Sequence, residues 1–445
     1  MIPVASTRAT AGSLRARFAE LIPERVIVSN ALSLFGTTLV TNAVGVLFWL
    51  LAARAFPKEQ VGLGSAAISA MLFLGTLSTI GFNTLLVGEV ARQRDRARVL
   101  VATALTVCGA TGTVLGLTFA VVVPALSDKL DSLGANPAVV ALFAAGVGLT
   151  TVGLVLDQAL IGFLRGDLQL RRNAMLAVLK LLALAGFALG AASRTGLGLY
   201  GAWAIGNLLS LVALGAWIVR RERGLHGFGL DLALVRRVRG EAVSHHAFNL
   251  SISAPWMVLP VIVTIVLSPS INASFYAAAT IVLFIRLIPS ALTTVLYAVS
   301  ASDSDGLARR MRFTLGLSFG IVLAALTILL TVPDLLLRVF GERYAQEASG
   351  TLRILAVGVL AEIVKTHWVA ARRVSRSVGR ALPYALCGTA LVMGAAVAGA
   401  ALGGLEGLAV GWLIGESVQG AAMAPLVVRT ARLLPGARTL SATAP

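Results

Sequence analysis

"ATIVLFIRLIPSALTTVL", residues 279–296, is an apolar run interrupted near its centre by one cation, Arg286. As a helix rising 1.5 Å per residue, a stretch of 18 or more residues crosses roughly 30 Å of hydrocarbon. The reading holds only if the whole chain belongs in a bilayer, and composition decides that. Hydrophobic residues make up 57% of the 445 positions and charged ones only 13%, with a mean hydropathy of +0.88. A soluble domain of this length carries about 25% charged residues.

Outward from that stretch, twelve apolar spans follow one another, at 27–53, 61–90, 99–123, 138–164, 174–193, 198–219, 243–267, 275–300, 313–332, 351–371, 381–402 and 407–428. Lipid supplies no water to open backbone groups, and the spans lack the alternation of a barrel strand, so each is expected to be a helix. The fold class is therefore an all-α polytopic membrane protein of about twelve transmembrane helices. Residues 1–26 contain Arg8, Arg15 and Arg17 but no short apolar core with a cleavage site, so they read as a cytosolic tail, not a signal peptide.

Lys and Arg in alternate connecting segments set the orientation. With the N-terminus inside, the cytosolic segments hold 27 of them and the external ones seven: Arg54, Lys58, Lys129, Arg194, Arg338, Arg343 and Arg353. Both termini are expected in the cytosol. The formal charge of +17 is then mostly this asymmetry. It is split among short segments without an aromatic platform, which argues against nucleic acid as a partner. Arg outnumbers Lys 33 to 4, the codon usage of a GC-rich bacterial genome, and the plasma (inner) membrane is the expected location.

An internal repeat divides the spans. "GLYG" at 198–201, "IGN" at 205–207 and "VR" at 219–220 recur as "GLEG" at 404–407, "IGE" at 414–416 and "VR" at 428–429, and "VSNA" at 28–31 resembles "VSHHA" at 243–247. Six spans per half put both halves in the same direction, related by an axis along the membrane normal. The expected organisation is a tail at 1–26, an N-lobe at 27–219, a cytosolic linker at 220–242, a C-lobe at 243–428 and a tail at 429–445.

"NAVGVLFWLLAARAFPKEQVGLGSAAISAMLFLGTLSTIGFNTLLVGEVAR", residues 42–92, resembles the opening of polysaccharide flippases of the multidrug, oligosaccharidyl-lipid and polysaccharide exporter superfamily. "ALIGFLRGDLQLRRNA" at 159–174 is similar to the family's end of span four. "SFYAAATIVLFIRLIPSALTTVLYAVSA" at 274–301 is similar to its eighth span. The resemblance implies two pseudo-symmetric six-helix lobes around a central cavity. It also implies the flipping of an anionic lipid-linked oligosaccharide, of polyprenyl-pyrophosphate type, from the cytosolic to the external leaflet by alternating access.

The residues themselves offer chemistry for such a load. A pyrophosphate headgroup needs cations near the membrane midplane, and a guanidinium binds phosphate oxygens with two parallel bonds. Arg286 lies about 16 and 21 Å from the two ends of its span, too far to snorkel. Lys180 and Lys365 are the other cations inside spans, and Asn30, Asn42, Asp157, Asn249 and Glu416 are polar groups able to face a cavity. Asp157, His245, His246 and Glu416 are candidates for coupling to protons or Na+. Structural roles compete with each: Arg286 can pair with Asp157 or Glu416, Lys365 with Glu362 three residues earlier, and the histidines can be solvated at the cytosolic start of span seven. Asn30 and Asn42 can instead make interhelical hydrogen bonds.

Other signals carry no weight. Gly196, Gly198 and Gly201 spell G-x-G-x-x-G but open a membrane helix with no strand before it. Cys108 and Cys387 offer neither metal spacing nor a disulfide framework, and no cofactor or metal is expected. The competing functions are a cation-coupled multidrug exporter and a membrane-embedded glycan polymerase or transferase. The first calls for acids in the first lobe's cavity, of which span one has none, although Asp157 and Glu89 keep that reading open. The second calls for a sizeable external loop, and the external segments 124–137 and 333–350 are short. Catalysis is accordingly not expected.

The charge count has a direct test. In a background lacking Cys108 and Cys387, single cysteines at Ser127 or Ser270 are expected to react with impermeant maleimide in intact cells, and cysteines at Ser304 or Ser377 to stay unlabelled. Labelling at Ser304 without labelling at Ser270 reverses the orientation.

Overall fold

The computed structural model describes residues 42–92, 96–221, 229–231, 233, 241–300 and 306–432, together with Leu32; no strand occurs among them. The tail at 1–26, Asn30, Ser304, residues 433–445 and most of the expected linker lie outside the described residues. The helices are α1 (Asn42–Ala55), α2 (Lys58–Leu77), α3 (Phe82–Arg92), α4 (Ala97–Leu126), α5 (Pro137–Gly162), α6 (Gly166–Leu189) and α7 (Gly196–Arg221). There follow α8 (Glu241–Val266), α9 (Pro269–Ser300), α10 (Leu307–Thr331), the short α11 (Pro333–Arg338), α12 (Glu342–Val374) and α13 (Val378–Arg432).

Ten of these are long and apolar enough to cross a membrane. α1 is the described part of span one, and α13 holds two crossings joined at Gly403 and Gly404. Gly404 takes φ 60°, a left-handed conformation a side chain would resist. With α1 as the described end of span one and α13 counted as two, the described helices correspond to the twelve spans that the apolar runs predict. Span two departs from the reading in one respect: it is broken between α2 and α3, where Ile80 (φ 48°) and Gly81 (φ 87°) are left-handed. A Cβ at Gly81 would lie 2.8 Å from the Ala242 carbonyl oxygen, so the break lets α3 close against the start of α8.

The helices gather in two lobes. α4 packs on α5 and α6 on α7 in one, and α9 packs on α12 and α12 on α13 in the other. α2 lies between, against α5 and α7 on one side and α8 and α9 on the other, and is buried along most of its length. Small residues make that approach possible. A Cβ at Gly62 of α2 would sit 1.7 Å from the Pro269 carbonyl oxygen at the start of α9.

Polar contacts concentrate at this end of the bundle, the end that the charge count places outside. Asn272 donates to the Gly62 carbonyl and to Ser65 Oγ, each at 2.9 Å. Lys58 pairs with Glu347, whose carboxylate also accepts from Ser274 at 2.9 Å. Lys129 donates to the carbonyls of Ile265 (3.0 Å) and Leu267 (2.7 Å), capping the last turn of α8, where carbonyls lack helical partners. Arg54 donates to the Val339 carbonyl at 2.8 Å, and the Trp49 and Tyr276 rings meet at 4.5 Å.

Gly62 is thus the tightest point of a pinned end. Gly62→Leu is expected to hold the lobes apart there and to reduce disulfide formation between cysteines at Lys58 and Glu347 severalfold. Unchanged cross-linking would show that the close approach of α2 and α9 is dispensable.

Candidate functional site

Burying a charge in hydrocarbon costs at least about 2.5–3.5 kcal/mol on insertion scales, so each such group in a span calls for a partner. Arg286, midway along α9, finds its partner on α12. Its Nε donates to Glu362 Oε2 and its Nη2 to Glu362 Oε1, both at 2.6 Å. One turn further along α12, Lys365 donates from Nζ to both carboxylate oxygens of Glu416 at 2.7 Å. The partners therefore differ from those the spacing suggests. Lys365 is held by Glu416, not by its neighbour Glu362, and Arg286 by Glu362, not by Asp157 or Glu416. Glu362 escaped the list of candidates, although an acid inside an apolar span was itself the signal.

The two pairs form one cluster of two acids and two bases, graded in exposure. The Arg286 side chain keeps 18% of its surface open, whereas those of Lys365 and Glu416 keep 2% and 1%. The guanidinium lies 3.9 Å from the centroid of the Trp256 ring, which meets Trp412 edge-on at 5.1 Å. Stacking of this kind contributes up to about 2 kcal/mol when desolvated. The bonds to Glu362 use Nε and Nη2 and leave Nη1 uncommitted to it.

Lys180 of α6 is buried in a different way. Among the described residues no carboxylate pairs with it; its ammonium lies 4.0 Å from the Trp203 centroid and 5.7 Å from that of Phe48. The undescribed stretch 27–41 of span one contains no acid either. Trp203 and Trp412 each stand four residues before the last residue of "IGN" and "IGE", so the repeat marks both, though the sequence reading stopped short of them. It also relates Asn207 to Glu416. Asn207 donates to Thr150 at 3.1 Å from α7 to α5, where Glu416 accepts from Lys365 between α13 and α12. The same crossing is neutral in one lobe and charged in the other.

The remaining candidates are dispersed. Asp157 is clamped by Arg172, through Nε at 3.0 Å and Nη2 at 2.8 Å, and by Asn173 at 3.2 Å. Arg172, counted from sequence as a cytosolic loop cation, is buried inside α6 for this purpose. His246, a coupling candidate whose competing role was solvation at the start of span seven, is buried against the Leu77 backbone, and His245 is half-buried. Asn249 is exposed and accepts from Arg373 at 2.8 Å. Asn42 is half-buried near the start of α1.

Breaking a buried pair from one side orphans the other charge, at a cost of about 3–5 kcal/mol. Glu362→Gln is expected to lower the Tm in detergent clearly, and the double variant Arg286→Gln/Glu362→Gln to recover most of it. Lys180→Met orphans no carboxylate and is expected to melt near wild type. A wild-type Tm for Glu362→Gln would contradict the pairing.

Comparison with known proteins bears on the family and the fold. Residues 27–297 match the polysaccharide biosynthesis protein family. Among curated proteins none matches. The inward-facing conformation of a multidrug resistance MATE family transporter of the MOP superfamily is similar at TM-score 0.71 and 16% identity, over 88% of this chain and 94% of that one. The outward-facing conformation of such a transporter is similar at 0.60 and 16%, over 92% and 96%. A MOP superfamily transporter from Pyrococcus furiosus, described as having a binding pocket of reverse polarity, is similar at 0.58 and 16%, over 92% and 96%. The chain belongs to the polysaccharide biosynthesis protein family, and its fold is shared with membrane transporters of the MOP superfamily.

Proposed function

We propose that the chain flips an anionic lipid-linked oligosaccharide or polysaccharide precursor from the cytosolic to the external leaflet of the plasma membrane, by alternating access and without catalysis. The observation that carries this reading is Arg286. It is a guanidinium at membrane depth, against the ring of Trp256 and partly open, with one nitrogen not engaged by Glu362. That open nitrogen gives an arriving phosphate oxygen its first contact, and the two-nitrogen edge now held by Glu362 suits a phosphate once the carboxylate yields. Lys180 offers a second cation in the other lobe, also on an aromatic surface and with no acid to neutralise it among the described residues. The better likeness to an inward-facing transporter and the contacts at the pinned end support a state loaded from the cytosol.

The multidrug reading is disfavoured by the acids. An exporter of organic cations needs a carboxylate free to meet them, yet Asp157 is held by Arg172 and Glu89 by Arg92.

A strain lacking the gene is expected to lose cell-envelope glycan and accumulate its lipid-linked precursor. Altered dye efflux alone would point to drug export, and shortened glycan to polymerisation. The double variant Arg286→Gln/Glu362→Gln separates transport from folding. It is expected to reach the membrane folded and to transport roughly ten- to hundredfold more slowly, the worth of a charge-assisted hydrogen bond. Arg286→Lys is expected to retain part of the activity, because a lysine keeps the charge and loses the fork. Wild-type transport by the double variant would remove Arg286 from the site.

A further inference from the structure

We propose that the cluster Arg286–Glu362–Lys365–Glu416 is a carboxylate relay, in which binding of a phosphate-bearing anion at Arg286 is accompanied by uptake of one proton at Glu416. The inference rests on the reading of Arg286 as the anion contact, and adds to it where the displaced charge goes.

Three observations carry it. First, the cluster is balanced, each base holding one acid with both oxygens engaged. An added anion therefore leaves a carboxylate without a base. Second, Glu362 has another base within reach. Lys365 lies three residues on, on the same face of α12, the spacing at which side chains pair on a helix. Third, the cluster has an outer and an inner end, since Arg286 is the most exposed member and Glu416 the least.

An arriving phosphate meets Arg286, whose ring of Trp256 keeps it from following Glu362. The phosphate oxygens take the Nε and Nη2 edge, and Glu362 turns to Lys365. The Lys365 ammonium then no longer neutralises Glu416. The charged groups acting on Glu416 are Lys365 and Glu362 of α12 and Arg286 of α9; α8 contributes the uncharged Trp256, and His367 points away to Thr314 of α10. With its base withdrawn and no water-exposed surface, Glu416 takes a proton from the aqueous phase onto a carboxylate oxygen. The proton compensates one of the charges that the anion brings.

The test uses the full-length protein in detergent, in weak buffer with a pH indicator. It is titrated with farnesyl pyrophosphate in one arm and inorganic pyrophosphate in the other. Binding linked to a change in bound protons appears directly as proton uptake. One proton per bound anion is expected, together with a new infrared band of a protonated carboxyl group. Uptake in both arms identifies a site for the phosphate itself, and uptake with the farnesyl ester alone a site for the lipid-linked form. Glu416→Asp keeps a carboxylate and hence the ion pair, so it is expected to fold and to shift the band. Glu362→Asp is expected to leave the band in place. A band that shifts in Glu362→Asp would mean that Glu362 is itself protonated, and would overturn the relay. So would binding without proton uptake. Binding unaffected by Arg286→Gln would instead overturn the reading of Arg286 as the anion contact.

Discussion

A charge in hydrocarbon has to meet its opposite, and in this protein that requirement ties helices together. The acids Asp157, Glu362 and Glu416 are matched by Arg172, Arg286 and Lys365. Each match joins two helices: α5 to α6, α9 to α12, and α12 to α13. Apolar side chains cannot do this as selectively, because lipid tails compete with them on nearly equal terms. Removing one partner exposes the other to the full cost of burial, so the pairs define register as well as proximity.

The cluster in the second lobe is neutral yet asymmetric. Its guanidinium is partly open and stacked on Trp256, while its ammonium is sealed against Glu416. A site of this kind is guarded: Arg286 is neutralised until something better than Glu362 arrives. Lys180 is the contrasting case, a cation stabilised by aromatic faces alone among the described residues. The repeat places Asn207 where the other lobe has Glu416, so the two lobes share a crossing geometry and differ in charge.

Movement between lobes needs an interface that is close but not interlocked by large side chains. α2 meets that need with glycine, alanine and serine along its buried face, and at one end hydrogen bonds and one ion pair reinforce the apolar contacts between the lobes. Such contacts are directional and can be exchanged for water when the end opens.

The sequence by itself determined that the chain lies in a membrane, that it is helical, where its crossings fall and that Lys180, Arg286 and Lys365 lie inside them. Those properties follow from hydrophobicity along the chain and from the rise of a helix, both local. It also marked the repeat, and through it Trp203 and Trp412. Partnership was decided only by the tertiary structure. Local spacing assigns Glu362 to Lys365, but Arg286, 76 residues away, approaches on a neighbouring helix and takes both carboxylate oxygens. Arg172 looked like a loop cation until α5 brought Asp157 beside it, and the break at Ile80 and Gly81 has its reason in α8, not in span two. Helix neighbours are set by packing between spans far apart in sequence, and a long flexible side chain pairs with whichever charge that packing delivers.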